Sequence, residues 1–253
     1  MDIAVCVKHV ATLGDEVEWD DSHTEVDPAF LEWSLNEWDA YAVEEALRMR
    51  ETAGDGEVFL LSVGDDEADE SLRRGLAMGA DRAVRVDPGD HAGGLDPLTV
   101  ARALAGVLSE QRADVILAGV QSSDAVQAAT GTMLGQLLGL PTVAVVKKIV
   151  LGAGTARVHR ELEGGLIDVM DVDLPALITV QTGINEPRYA NLRAIKQARE
   201  KEVAVRDLDA GGDGCLRVTS MFVPPAGETA EPLGDNPADV ARRIIEIVGA
   251  QLS

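Results

Sequence analysis

Short apolar runs alternate along the chain with longer stretches whose apolar positions recur every three or four residues. Residues 3–7 (IAVCV), 58–63 (VFLLSV), 83–86 (AVRV) and 115–120 (VILAGV) read as strands. Two of them are apolar nearly throughout, the pattern of strands covered on both faces. Between them lie helical patterns. Residues 36–51 open on Asn36 as N-cap and carry an apolar stripe at Trp38, Ala42, Ala46 and Met49. Residues 66–80 end at Gly79, a helix-terminating glycine. Residues 96–111 start with Asp96 as cap and Pro97 in the first turn. A fourth helical pattern, 124–140, follows Gly119. This alternation predicts an α/β fold with a mostly parallel, doubly wound sheet.

After residue 140 the pattern changes. Residues 141–150, 155–162, 166–174 and 176–181 are strand-like, and Gly152, Gly154, Gly164 and Gly165 separate the first three. Alternation within 157–162 and 167–174 predicts a partly exposed β-hairpin. Residues 209–214 (DAGGDG) form a flexible break, and the Pro/Gly-rich stretch 223–237 predicts an extended arm. A last amphipathic helix follows Asn236 and Pro237. It has nothing local to bury its Ile244, Ile245 and Val248 face, so that face must dock elsewhere. The expected division is an α/β domain over 1–205, hairpin included, and a C-terminal arm and helix over 206–253.

Aromatic residues make up only 3% of the chain, so the core must rest on Val, Leu, Ile and Ala. The 44 acidic and 22 basic residues leave a net charge of −22. That balance argues against nucleic acid, which needs basic surface, and against anionic membrane. One segment departs from it: in 185–201 (NEPRYANLRAIKQAREK) Arg188, Arg193, Lys196, Arg199 and Lys201 face only Glu186 and Glu200. By composition alone it reads as a solvated basic helix. Cys6 and Cys215 form no metal-ligand spacing and fit a reducing cytosol. No apolar run approaches the ~20 residues that span a bilayer, and the N-terminus lacks the features of a signal peptide. A cytoplasmic location is expected, with no membrane insertion.

No catalytic motif is present. His9, His23, His91 and His159 are scattered without metal-ligand spacing, and there is neither a P-loop nor a dinucleotide fingerprint. One constellation remains, at 117–135 (LAGVQSSDAVQAATGTMLG). A buried strand ends in Gly119, a run of small and hydroxyl-bearing residues follows, and then a helix. Ligands of parallel sheets bind beyond the strands' carboxyl ends, and a helix N-terminus offers N–H groups to phosphate. Ser122, Ser123 and Thr130 could add hydroxyl donors. The alternative is an ordinary strand-to-helix turn packed with small residues.

Several segments together resemble the beta subunit of electron transfer flavoprotein: 7–10 (VKHV), 36–51, 72–86, 117–141, 158–169 with 174–180, and 185–201. The most specific is RELEGG followed by LPALIT and NEPRYANL. The resemblance covers about residues 1–205. It implies a nucleotide-binding domain of the adenine nucleotide alpha hydrolase-like type, paired with an alpha subunit on which the C-terminal arm docks. It implies one FAD, held mainly by alpha, and electron flow from acyl-CoA or other dehydrogenases to an acceptor such as a membrane quinone oxidoreductase. The subunit would have no substrate chemistry of its own. Its own pocket would hold a structural AMP or, in electron-bifurcating members, a second FAD.

Carried over by residue, the resemblance implies a nucleotide pocket built from Cys6; from Asn36, Glu37, Trp38 and Asp39; from Val63; and from the loop of Gly119, Val120, Gln121, Ser122, Ser123, Asp124, Gln127 and Thr130. Ala128 and Ala129 replace the family's usual Asn-Gln, and Thr130-Gly131-Thr132 differs from the bifurcating pattern. The choice between AMP and a second FAD therefore stays open, with AMP favoured. Arg160 and Glu161 match a charged pair facing the alpha subunit's flavin domain; the alternative is an exposed hairpin ion pair. Leu13 falls near a flavin-side tyrosine of the family. Segment 185–201 matches the loop that docks dehydrogenases, with Leu192 as anchor and Tyr189, Ile195 and Lys196 beside it. A nucleotide sensor or adenine-nucleotide hydrolase of similar shape is the competing reading, but it has no need of the hairpin, the NEPRYANL segment or the arm.

Overall fold

The computed structural model describes residues 1–14, 18–20, 23–89, 95–207, 216, 218–222, 225, 227 and 232–251. It divides into two units, residues 1–220 and 221–253. In the first, nine strands form one sheet. They are β1 (Ile3–Cys6), β4 (Val58–Val63), β5 (Arg82–Asp87), β6 (Val115–Gly119), β7 (Thr142–Leu151), β8 (Thr155–Glu161), β9 (Ile167–Asp173), β10 (Ala176–Val180) and β11 (Val203–Asp207). The order is β11-β5-β4-β1-β6-β10-β7-β8-β9. Neighbours from β11 to β7 run parallel. From β7 through β8 to β9 they run antiparallel.

The two-residue period of a strand sorts its side chains onto opposite faces. Ile3 and Val5 point to the face covered by α1 (Glu37–Ala53) and α2 (Ala68–Met78), packing with Val43, Leu47, Leu72 and Leu76. Ala4 and Cys6 point to the other, with Leu104 and Leu108 of α3 (Pro97–Ser109) and Leu134 of α4 (Thr130–Leu138). Helices on both faces explain why these strands are apolar throughout. Each fully buried Leu or Ile contributes about 1.5–3 kcal/mol relative to exposure.

Helix boundaries follow local chemistry where a cap is present. Asp96 accepts the Thr99 N–H at 2.7 Å, with Pro97 behind it in the first turn of α3. Gly79, at φ +131°, ends α2.

Three features differ from the sequence reading. The helix expected over 124–140 starts only at Thr130, because Val126 and Ala128 adopt φ of 52° and 49° and break the helical path. The expected hairpin is the antiparallel pair β8–β9, which joins the main sheet through β7. A small antiparallel pair, β2 (His9–Leu13) with β3 (Leu31–Leu35), stands apart from the sheet. There His9 stacks on Trp33, with ring centroids 5.2 Å apart, and its Nδ1 lies 2.8 Å from the buried Ser71 Oγ on α2. Finally, residues 176–181 are not the last strand, since β11 follows and pairs with β5 at the sheet edge.

The basic segment is part coil and part helix, α5 (Leu192–Glu200), capped by Asn191, whose side chain accepts the Ala194 N–H at 2.9 Å. Ala198 buries this helix against the α1 and α2 side of the sheet. In the second unit, α6 (Pro237–Gln251) exposes Ile244, Ile245, Ile247 and Val248. His91 and Cys215 lie outside the described residues.

Candidate functional site

The carboxyl ends of β1, β4 and β6 open into a cleft of about 210 Å³. Cys6, Val63 and Gly119 form its floor, Pro97, Val100 and Leu104 of α3 one wall, and Thr130, Gly131 and Leu134 of α4 another. The loop 120–129 closes the rim. This is the place at which parallel sheets bind ligands.

The start of α1 holds the cleft together. Asn36 occupies the cap position, yet its side chain caps no backbone N–H of the helix. Its Nδ2 instead donates to the Gln121 carbonyl at 2.9 Å, and its Oδ1 accepts the Ser123 N–H at 3.3 Å. Asp39, one turn on, is likewise diverted: its two oxygens accept the N–H groups of Lys8 at 2.8 Å and Gly119 at 2.9 Å. Both side chains are buried. Burial pushes the Asp39 carboxyl up to about 7, against the lowering pull of the bonds from Lys8, Asn36 and Gly119. Burial, with the Asp39 charge behind it, pushes the Cys6 thiol up to about 12, so Cys6 stays a neutral, unreactive floor residue.

Among the described residues, Lys8 is the only cationic residue on the cleft wall. Its Nζ binds Asp124 at 2.7 Å and reaches Ser122 Oγ at 3.4 Å. Burial raises the Asp124 carboxyl, but the bonds from Lys8 and Ser122 outweigh it and hold the group below its ordinary value. The amino end of α4 faces the cleft with no side-chain cap. The first N–H groups of a helix have no intrahelical partner. The left-handed backbone at Val126, a β-branched residue, is strain of the sort that accumulates at ligand clamps.

Of the residues expected from the sequence, the structure brings Cys6, Asn36, Asp39, Val63, Gly119, Val120, Gln121, Ser122, Gln127 and Thr130 to this cleft. It leaves four off the cleft wall. Glu37 is exposed on α1. Trp38 turns its Nε1 to Gln181 Oε1 at 2.8 Å. Ser123 contributes its N–H to Asn36, and Asp124 its carboxylate to Lys8. Sequence reasoning missed Lys8 and the α3 wall. A lysine directly past the first strand, in a chain with five lysines, was the available signal.

Arg160 and Glu161 do not pair with each other. Adjacent strand residues point to opposite faces, so Arg160 meets Asp168 on β9 at 3.5 Å and Glu161 meets Lys147 on β7 at 3.0 Å. Arg160 Nε is buried without a partner. Leu13 is exposed at the end of β2. On the basic segment Tyr189 and Leu192 are 99% and 86% exposed; Ile195 and Lys196 are also exposed.

The profile of the electron transfer flavoprotein domain matches residues 28–210. The electron transfer flavoprotein subunit beta of Methylophilus methylotrophus is 41% identical, over 98% of both chains. The chain belongs to the electron transfer flavoprotein beta-subunit family. The mitochondrial subunit beta of Oryza sativa subsp. japonica is 38% identical over 89% of this chain and 90% of its own. That of Bacillus subtilis (strain 168) is 31% identical over 87% of each. Among the described residues no helix is long and apolar enough to cross a membrane, and no group of three or more His, Cys, Asp or Glu is placed to hold a metal.

Proposed function

We propose that this subunit forms a heterodimer with an electron transfer flavoprotein alpha subunit, completes alpha's FAD site, and carries an AMP in its own cleft. The observation that carries the reading is convergence at one cleft. The uncapped start of α4, the Lys8 ammonium and the strained loop all face the ends of β1 and β6.

The residues fit an adenine mononucleotide. Its phosphate would take the N–H groups at Thr130 and Gly131, with the Lys8 charge nearby. The two oxygens of Asp39 are already occupied by backbone donors, and Lys8 offsets Asp124, so neither carboxylate opposes an anion unpaired. Small side chains at Ala118, Ala125, Ala128 and Ala129 leave room, and Val63, Val100 and Leu104 offer apolar contact to a base. Cys6, Asn36, Val120, Gln121, Ser122 and Gln127 complete the shell; Glu37, Trp38, Ser123 and Asp124 act from behind it. Gly131 lets the start of α4 sit close on the sheet beside the cleft: a Cβ there would meet Thr179 Cγ2 at 2.6 Å. The AMP is structural, and the FAD supplies the redox chemistry when bound.

Membership of the family supports a carrier that takes electrons from acyl-CoA or other dehydrogenases in the cytoplasm and passes them to a membrane quinone oxidoreductase. Segment 185–201 docks the donor, with Leu192 as apolar anchor, Tyr189 and Ile195 beside it, and Lys196 steering the encounter. Arg160 and Glu161 face the alpha subunit. The test is to purify the heterodimer, denature it and identify the nucleotides released. AMP with one FAD is expected. Two FAD would put a flavin in the beta cleft, and no nucleotide beyond one FAD would overturn the assignment.

A further inference from the structure

The exposed Tyr189–Leu192 stretch has a built mount at each end. On its amino side, Arg188 lays its guanidinium on Glu44 of α1. Nε donates to Oε2 at 2.7 Å and Nη2 to Oε1 at 3.1 Å, while the backbone N–H of Arg188 also reaches Oε2 at 3.1 Å. Nη1 extends to Glu51 at 2.8 Å. Three residues earlier, Asn185 Nδ2 donates to Glu45 Oε2 at 3.0 Å and to the Tyr41 carbonyl at 3.1 Å. On the carboxyl side, Arg73 Nη1 serves the Ala198, Arg199 and Lys201 carbonyls that end α5, at 3.0, 3.1 and 3.3 Å. Lys201 Nζ reaches back to the Ala80 carbonyl at 2.6 Å.

Glu44 is the telling residue. Its side chain is only 7% exposed, in a protein that keeps most carboxylates in water. A carboxylate so placed needs a cation in good geometry, and the forked, multiply bonded guanidinium is the strongest such partner. The chain thus removes one arginine from its scarce basic residues to fasten a loop. Arg193, Lys196 and Arg199 remain exposed for an encounter. Ordering a mobile, rotamer-rich segment during binding costs conformational entropy for each side chain immobilised. A segment fastened beforehand avoids that cost.

We propose that Arg188, seated on Glu44, is a positioning residue for donor docking: it holds Tyr189 to Leu192 in the binding conformation before the dehydrogenase arrives. This rests on the reading of 185–201 as the docking segment. Arg188→Ala alone would strand the Glu44 carboxylate and disturb α1, so the informative variant is the pair Glu44→Gln with Arg188→Gln, which removes both charges together.

The experiment uses the heterodimer with its FAD and a reduced acyl-CoA dehydrogenase as donor. For the paired variant, flavin content and melting should stay near the parent. Its KM for the dehydrogenase should rise about tenfold with kcat unchanged, and hydrogen exchange at residues 186–192 should accelerate. A parent-like KM, or a raised KM without faster exchange, would overturn the proposal. Leu192→Ala separates the two layers. It should raise KM without changing exchange. If it does so while the paired variant behaves like the parent, only the positioning role falls. If it leaves KM unchanged, the docking reading falls and the positioning role with it.

Discussion

Asp39 and Gly119 are fitted to each other across the top of the sheet. The Gly119 N–H donates to Asp39 Oδ1 at 2.9 Å, and a Cβ at position 119 would lie 2.5 Å from that same oxygen and from Trp38 Cβ. Neither neighbour can retreat easily, since Asp39 also binds the Lys8 N–H and Trp38 binds Gln181. Gly119→Ala should therefore cost about 1–3 kcal/mol of stability, the usual range for overpacking. It should also release the proposed AMP, because displacing Asp39 uncouples the ends of β1 and β6. Thermal unfolding and the AMP content of purified heterodimer check this together.

The buried Asp39 carboxyl gives stability a pH dependence of predictable sign. Its folded value is raised to about 7, whereas an unfolded aspartate titrates near 3.9. Between those values the folded state binds more protons than the unfolded one, so this group's contribution to stability falls as pH rises. It is fully present below pH ~4 and lost by about pH 7. Urea midpoints of nucleotide-free protein, taken between pH 4 and 8, should show the decline relative to Asp39→Asn and a constant difference above pH 7. A difference that grows with pH would mean the carboxylate is stabilised in its charged form.

Lys8 separates stability from binding. Its pairing with Asp124 is partly exposed, and pairs near the surface contribute about 0–1 kcal/mol. Lys8→Met should thus barely change melting. It should weaken binding of the proposed AMP severalfold in equilibrium dialysis of stripped protein, since it removes the one cation that the described residues place on the cleft wall. Unaltered affinity would leave the phosphate to the backbone of α4 alone.

How far these features were legible depends on which forces set them. The central strands and α1 to α3 were readable because burial on both faces writes a continuous apolar run or a helical stripe into the sequence. β2 and β3 were not, because HVATL and LEWSL bury only Val10 and Leu35 fully and gain their order from α2 behind them. β11 is a half-exposed edge strand and carries little pattern. The start of α4 was misread for a sharper reason. Ala125 to Ala129 are helix-compatible by propensity, and nothing in Val126 announces a left-handed backbone. In the cleft, the floor and loop could be anticipated. The side chains of Asn36 and Asp39 could not be assigned to partners some 80 residues away, since a cap position predicts only local bonds.

The carboxyl-terminal unit offers the last prediction. Residues 221–253 form a unit of their own, and α6 leaves Ile244, Ile245, Ile247 and Val248 exposed. Among the described residues, the two core clusters of the larger unit draw on none beyond Ala204. A chain ending at Ser220 should therefore keep the helical signal of α1 to α5 and a single cooperative melt. An apolar helical stripe is the usual form of an anchor in a partner's groove. The same truncation should raise the dissociation constant for the alpha subunit at least tenfold, about 1.4 kcal/mol, as read by titration of labelled subunits. A truncated chain that fails to fold would make the tail part of the core. A heterodimer as tight as the full-length one would give the stripe a different occupant.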